Sequence, residues 1–224
     1  MARTTEMTFA CPCGTTFTAT VHHAVNVTLE PQLLYTLLAG RLNVATCPNC
    51  ERQIATGLPF IYHDLKRGLF AYVHPNADLP EEDRDTLLAG LRRVYAEAVE
   101  TSERISPPHD SRPSRARQRH EPADLPRAIA EPEAPPMQVI FGVERLITLV
   151  ESLLEPEERL GRVALTATGP DPAARERLLD VARRLATQSG CLVDTELDGD
   201  TYSVWIYGSR KRVGQLVKLL NTNP

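Results

Sequence analysis

Hydrophobic and polar positions change rhythm along this chain. Up to about residue 75 they alternate in short runs rich in Thr, Val, Phe and Tyr. Met7–Ala10, Thr16–Val21, Asn26–Leu29, Val44–Thr46, Gln53–Thr56, Phe60–Tyr62 and Leu69–Val73 are therefore expected strands. One break in the alternation predicts a short helix. Pro31 opens it, Leu33, Leu34, Leu37 and Leu38 form its apolar side, and Gly40 supplies the stop just beyond the last leucine. From residue 78 the period becomes helical. Asp78 and Pro80 start the segment, Glu81, Glu82 and Asp83 lie near its positive end, and Leu87, Leu91, Val94, Tyr95 and Ala98 form one stripe.

Periodicity is then lost. Between Pro107 and Pro136 lie eight prolines among Ser, Arg, Glu and Ala, too little apolar surface to offset the entropy of ordering. Residues 105–136 read as a disordered Pro/Arg-rich linker. Its Arg112, Arg115, Arg117 and Arg119 carry no acid among them and read as a solvated basic run, with contact to nucleic acid or anionic lipid as the alternative. A different alternation follows from Met137. Gln138–Phe141 is a strand, and Val143, Leu146, Ile147, Val150 and Leu154 are a helix stripe. Arg162–Thr168 is a strand, and Asp171-Pro172 starts a helix that Gly190 ends. Cys191–Leu197 and Tyr202–Tyr207 flank the turn Asp198-Gly199-Asp200. Ser209 caps a last helix with Val213, Leu216, Val217 and Leu220 on one face. The order βαβαββα implies some parallel pairing and a closing hairpin. The expected organisation is α+β: a small β-rich unit with a trailing amphipathic helix over 1–104, the linker over 105–136, and a small α/β domain over 137–224.

Composition narrows the classes. The net charge of −4 and isoelectric point near 5.9 argue against a global field that would draw the chain to nucleic acid. The start lacks an apolar run after a basic residue, and no stretch is long enough to span a bilayer, so a cytoplasmic, non-membrane protein is expected. In that reducing setting the five cysteines read as two close pairs of metal ligands plus one single thiol.

Cys11-Pro12-Cys13-Gly14 and Cys47-Pro48-Asn49-Cys50 are tight turns, each entered from a β-like run. Two such knuckles can hold one Zn²⁺ as a tetrahedral four-thiolate site. The runs FACPCGTTF, NVTLEPQLLYTLLAGRLNVATCPNC and LPFIYHD with a closing VHP resemble the CpXC domain family, a zinc-ribbon-like module with two Cys-Pro knuckles. The resemblance covers residues 7–75 and implies that Cys11, Cys13, Cys47 and Cys50 are the ligands of one structural zinc ion. The first knuckle departs from the family pattern in having one residue between its cysteines instead of two. The family implies no established activity.

Other candidates are weaker. His22, His23 or His63 could replace Cys11 as a ligand if that sulfur failed to reach. His63 and Asp64 are adjacent on a strand and face opposite ways, so a structural role for Asp64, bonding turn amides, is expected over acid–base work. Cys191 reads as a small buried apolar residue. Ser209, Arg210, Lys211 and Arg212 place three cations on the first turn of a helix, where the dipole disfavours them. They are a candidate anion site, or else they reach toward neighbouring acids. Phosphate loops, a Ser-His-Asp order and the H-E-x-x-H signature are missing. The reading is a non-catalytic zinc-binding interaction or regulatory protein. Its alternatives are a thiol/zinc redox switch and a nucleic-acid-binding module, or an enzyme with a site in the last segment. A protein partner is expected, nucleic acid is a second candidate, and the 80–104 helix could pair with its copy in a homodimer.

Overall fold

The computed structural model describes residues 3–105, 136–169 and 171–222. The expected linker lies almost wholly outside the described residues. The chain forms two compact units, Met1–Asp78 with Pro135–Pro224, and Leu79–Ala134. The architecture is mixed α+β.

In the larger unit, β1 (Arg3–Ala10) and β2 (Thr16–Asn26) form an antiparallel ribbon. Helix α1 (Gln32–Leu38) follows, then the hairpin β3 (Val44–Thr46) and β4 (Gln53–Ala55), and then β5 (Phe60–Asp64) and β6 (Leu69–His74). Proline before the first helical residue and Gly40 at φ 69° just past the C-cap set the length of α1, as its sequence predicts. Of the expected strand Asn26–Leu29, Asn26 ends β2 and residues 27–29 form a turn instead. The Asn26 side-chain oxygen accepts from the amides of Thr28 and Leu29 at 3.1 and 3.2 Å, and this local bonding overrides β-branched content.

From residue 136 onward come β7 (Gln138–Phe141), α3 (Val143–Ser152), β8 (Leu160–Thr168), α4 (Pro172–Ser189), β9 (Leu192–Asp198), β10 (Thr201–Ser209) and α5 (Arg210–Thr222). The order is the expected one, but its first strand belongs elsewhere. β7 runs parallel to β6, Ala71 opposite Gln138 and His74 opposite Phe141, and closes a sheet of order β1-β2-β5-β6-β7. The segment expected as a separate domain from 137 onward thus shares a sheet with the N-terminal residues. The reason is burial. Val73, Ala71 and Leu69 of β6 and Phe60 and Tyr62 of β5 need a cover, and they share one core with the leucines of α1 and with Leu146 and Val150 of α3.

The second sheet has the order β8-β10-β9, antiparallel throughout. β8 and β9 are therefore parallel in direction but unpaired, because β10 lies between them. The expected parallel pairing is absent from this sheet. Tyr202, Val204 and Ile206 of β10 face Ala182, Ala186 and Leu216 of α4 and α5. Asp171 caps α4 by accepting from the Ala174 amide at 2.6 Å, and Gly190 closes it in the left-handed region.

The smaller unit contributes α2 (Glu81–Ile105), whose first turn carries Glu81, Glu82 and Asp83 as its sequence predicts.

One ion network joins the N-terminal residues to the α3–β8 connection. Buried Asp64 accepts from the Arg67 amide at 3.2 Å and from its guanidinium at 2.7 Å, and Arg67 also donates to Glu158 at 2.9 Å. Lys66 pairs with the same Glu158. Asp64 is 1% exposed, so Arg67→Ala would leave a buried carboxylate unpaired and should cost about 3–5 kcal/mol in denaturant unfolding. The Lys66 contact, then that of Arg67, holds the Glu158 carboxyl below the usual glutamate range. A lowered folded value contributes stability at neutral pH that is lost as pH falls through it. Glu158→Gln should therefore flatten the acid side of the stability profile, and an unchanged profile would refute the network's role.

Candidate metal centre

The site grows from two turns at the tips of two β units. In the first knuckle the Gly14 amide donates to the Cys11 carbonyl and the Cys11 amide to the Thr15 carbonyl, both at 2.9 Å. That closure requires φ 90° at Gly14, which a side chain would resist. In the second, the Glu51 amide donates to the Cys47 carbonyl and the Cys47 amide to the Arg52 carbonyl, again at 2.9 Å, with Glu51 itself at φ 57°. Phe9 and Val21 of the ribbon pack with Ala45 of β3, and this apolar contact brings the two tips together.

The four cysteines meet there. Cys11 lies 3.5 Å from Cys50 and Cys13 lies 3.7 Å from Cys47, sulfur to sulfur, and all four sulfurs lie within 4.8 Å of one another. A tetrahedral thiolate site with metal–sulfur bonds near 2.3 Å needs sulfurs roughly 3.8 Å apart. The spacing fits, and the single-residue spacing of the first knuckle does not keep Cys11 out. These cysteines are a cluster that could bind a metal ion. Cys11 and Cys47 are buried, whereas Cys13 and Cys50 are exposed.

The surroundings favour negative sulfur at one position and resist it at another. The Thr15 hydroxyl, then the Thr15 amide, pulls Cys13 down to about 5. The amide of Cys13 favours a Cys11 thiolate, but burial and the crowding of three other thiols outweigh it and push Cys11 up to about 12. Such a set does not carry four negative charges unaided, and a cation at its centre is the natural remedy. The Asn49 amide group donates to the Cys13 sulfur at 3.8 Å. Thr15 and Asn49 each lie next to or inside a knuckle, which is the sequence signal that could have marked them.

The other candidates lie elsewhere. The His63 ring meets the Asn26 amide group at 3.2 Å and packs edge-on against Phe70, while the His22 amide bonds Asn43 at 2.8 Å. Neither is needed to complete the cluster. Asp64 binds the turn amide of Arg67, the structural role expected of it. Half-buried Cys191 packs with the core of the second sheet.

At the start of α5 the cations disperse. Lys211 approaches Glu157 at 3.5 Å, and Arg212 donates to the Gly190 carbonyl at 3.0 Å. The amides of that turn are engaged as well: Arg210 donates to the Arg159 carbonyl, Lys211 to the Glu157 carbonyl, and Arg212 to the Ser209 hydroxyl. Lys211 and Arg212 thus reach acceptors of the chain itself, the second of the two readings given for this turn.

The family model described as CpXC protein matches residues 9–147 of the chain. The match runs beyond the 7–75 segment that carries the motifs, through β7 and into α3. Neither a curated protein nor a solved structure matches the chain.

Because all four thiols must deprotonate on binding, metal content should fall as pH is lowered. Cys47→Ser, which removes a buried ligand, should lose the metal and expose the β3 and β4 amides to hydrogen exchange. Cys191→Ser should retain both. Full metal content in the Cys47 variant would show that the cluster is not the binding site.

Proposed function

This chain belongs to the CpXC family, and from that premise we propose a non-catalytic, zinc-stapled interaction or regulatory protein. The observation that carries the proposal is the four-sulfur cluster. Four thiolates complete the coordination of a tetrahedral ion and leave no open position for a substrate, the arrangement of a structural site. The donor set suits zinc, with iron as the other ion that four thiolates hold in that geometry.

Where a partner would sit is suggested by the ribbon. Its outer face sets Thr8 opposite Thr18 and Glu6 opposite Thr20, all exposed, with Thr4 opposite His22. Exposed hydroxyls on a rigid ribbon offer hydrogen bonds to a protein partner. A homodimer through α2 is a second candidate interaction, since Val94 on its apolar stripe is 58% exposed. Nucleic-acid binding draws less support. Its basic run, Arg112 to Arg119, lies outside the described residues, and the cations at the start of α5 have the intramolecular contacts given above. No helix among the described residues is long and apolar enough to cross a membrane.

One observation favours a second reading, the redox-responsive switch. Cys13 and Cys50 are exposed, so an oxidant can reach two of the four sulfurs. Peroxide would take two electrons from a pair of thiolates, forming a disulfide and leaving as water, and the remaining sulfurs would no longer hold the ion.

Purified protein should carry about one zinc per chain by elemental analysis. Retention of that zinc under mild peroxide supports the staple. Release together with new disulfides supports the switch. A folded chain without any metal would overturn both.

A further inference from the structure

The sheet β8-β10-β9 has one face covered by α4 and α5, and its other face carries groups with no part in the metal centre. Tyr202, Val204 and Ile206 point toward the helices, so the alternate residue Trp205 points away. Its cross-strand neighbours are Ala164 and Asp194. With Arg41, from the turn after α1, this face encloses a cavity of about 250 Å³ whose wall includes Arg162, Asp194, Glu196, Trp205 and Tyr207.

The charges of this wall are not all balanced internally. Arg41 pairs with Asp194 and also donates to Gln53, so both members of that pair are engaged. Glu196 accepts from the Trp205 indole N–H at 2.9 Å, a bond that locates the ring but leaves the carboxylate's charge uncompensated. Arg162 has no carboxylate partner among the described residues. Among the described residues, one cation and one anion therefore line the same cavity without an ion-pair partner.

Each suits a recognisable group. A guanidinium takes a carboxylate in a fixed fork, and an indole beside a carboxylate is a favourable seat for an ammonium ion. Their separation selects the ligand further. Arg162 is aligned with Tyr207 and Glu196 with Ser203, four residues apart on β10. Four residues at ~3.3 Å along the strands, with two inter-strand spacings of ~4.8 Å across β10, put the two backbone positions about 16 Å apart, and the long side chains of Arg162 and Glu196 shorten the gap between their charges. A ligand spanning them has its charges several ångströms apart, which a free α-amino acid does not. Size sets the upper limit, because water takes ~30 Å³ per molecule and the cavity holds about eight. That space accommodates a di- or tripeptide and is below the usual range for larger ligands.

We propose that this cavity binds a short zwitterionic peptide, its carboxylate on Arg162 and its ammonium group between Glu196 and Trp205.

Trp205 is the chain's single tryptophan, so fluorescence excited selectively at tryptophan reports on this cavity. The full-length, metal-loaded protein would be titrated with dialanine, trialanine, their N-acetylated and C-amidated forms, ADP and inorganic phosphate. Saturable change is expected with the free peptides, and capping either end should weaken binding about tenfold or more, the scale of one charged hydrogen bond. Arg162→Gln should lose discrimination against the amidated peptide while keeping it against the acetylated one, and Glu196→Gln should do the reverse. Both positions are exposed, and unchanged thermal melting would confirm that each variant folds. An equal response to phosphate or ADP, indifference to capping, unaltered binding in both variants, or no saturable response would each overturn the proposal.

Discussion

Four sulfur atoms confined within 4.8 Å of one another are the constraint on which the N-terminal part of this molecule depends. As bare thiolates they would repel, and as thiols they would surrender the negative charge that the Thr15 contacts favour at Cys13. The surrounding structure is too slight to impose this crowding alone. β3 and β4 are three residues each, and a hairpin of that length is marginal in water. The apolar contact behind it is limited to Phe9, Val21 and Ala45 with a few half-buried neighbours. A metal ion on the four thiolates would supply what such a core lacks, because binding energy at a site formed only on folding is folding energy.

Further along the chain the balance reverses. Around α1 and α3 the core is large and continuous, and no metal is needed to hold it. β7 shows how the two regimes are joined. It lies more than sixty residues after β6 in the sequence, yet it pairs with that strand in register over residues 138–141. The buried network of Asp64, Arg67 and Glu158 secures the same junction with charges. Its value is specificity of placement as much as energy. A polar group buried at 1% exposure tolerates one arrangement of its partners and penalises the others.

What the sequence made legible was local. The knuckles announce themselves because proline and glycine are needed for turns that present sulfur on one side. The helix bounded by Asp171-Pro172 and Gly190, and the hairpin at Gly199-Asp200, rest on capping and turn chemistry within a few residues. Even the misread segment after Asn26 failed locally, since a side-chain oxygen two residues back outweighed β-branched content. Long-range choices were not legible. Nothing in the pattern of Gln138–Phe141 says that its neighbour is β6 and not a strand nearer in sequence. Arg67 and Glu158 are separated by 91 residues, and their pairing follows only from the packing. The charged cavity was hidden for the same reason, because alternation along β10 says that two faces differ but not which groups gather above one of them.

Arg41 connects the two regions that carry chemistry. Its backbone follows α1, its guanidinium reaches Gln53 on β4, and the same group pairs with Asp194 on β9. Gln53 in turn lies one residue beyond Arg52, whose carbonyl closes the second cysteine knuckle. The cation therefore faces the hairpin that carries Cys47 and Cys50 on one side and the wall of the cavity on the other. If Arg41 were free of Asp194, the cavity would hold two unbalanced cations and two unbalanced anions, with no preferred orientation for a dipolar guest. Tying that pair together leaves Arg162 and Glu196 as the poles, at opposite ends of one space. The direction in which a ligand would lie is thus set by a contact that also touches the hairpin of the second cysteine knuckle.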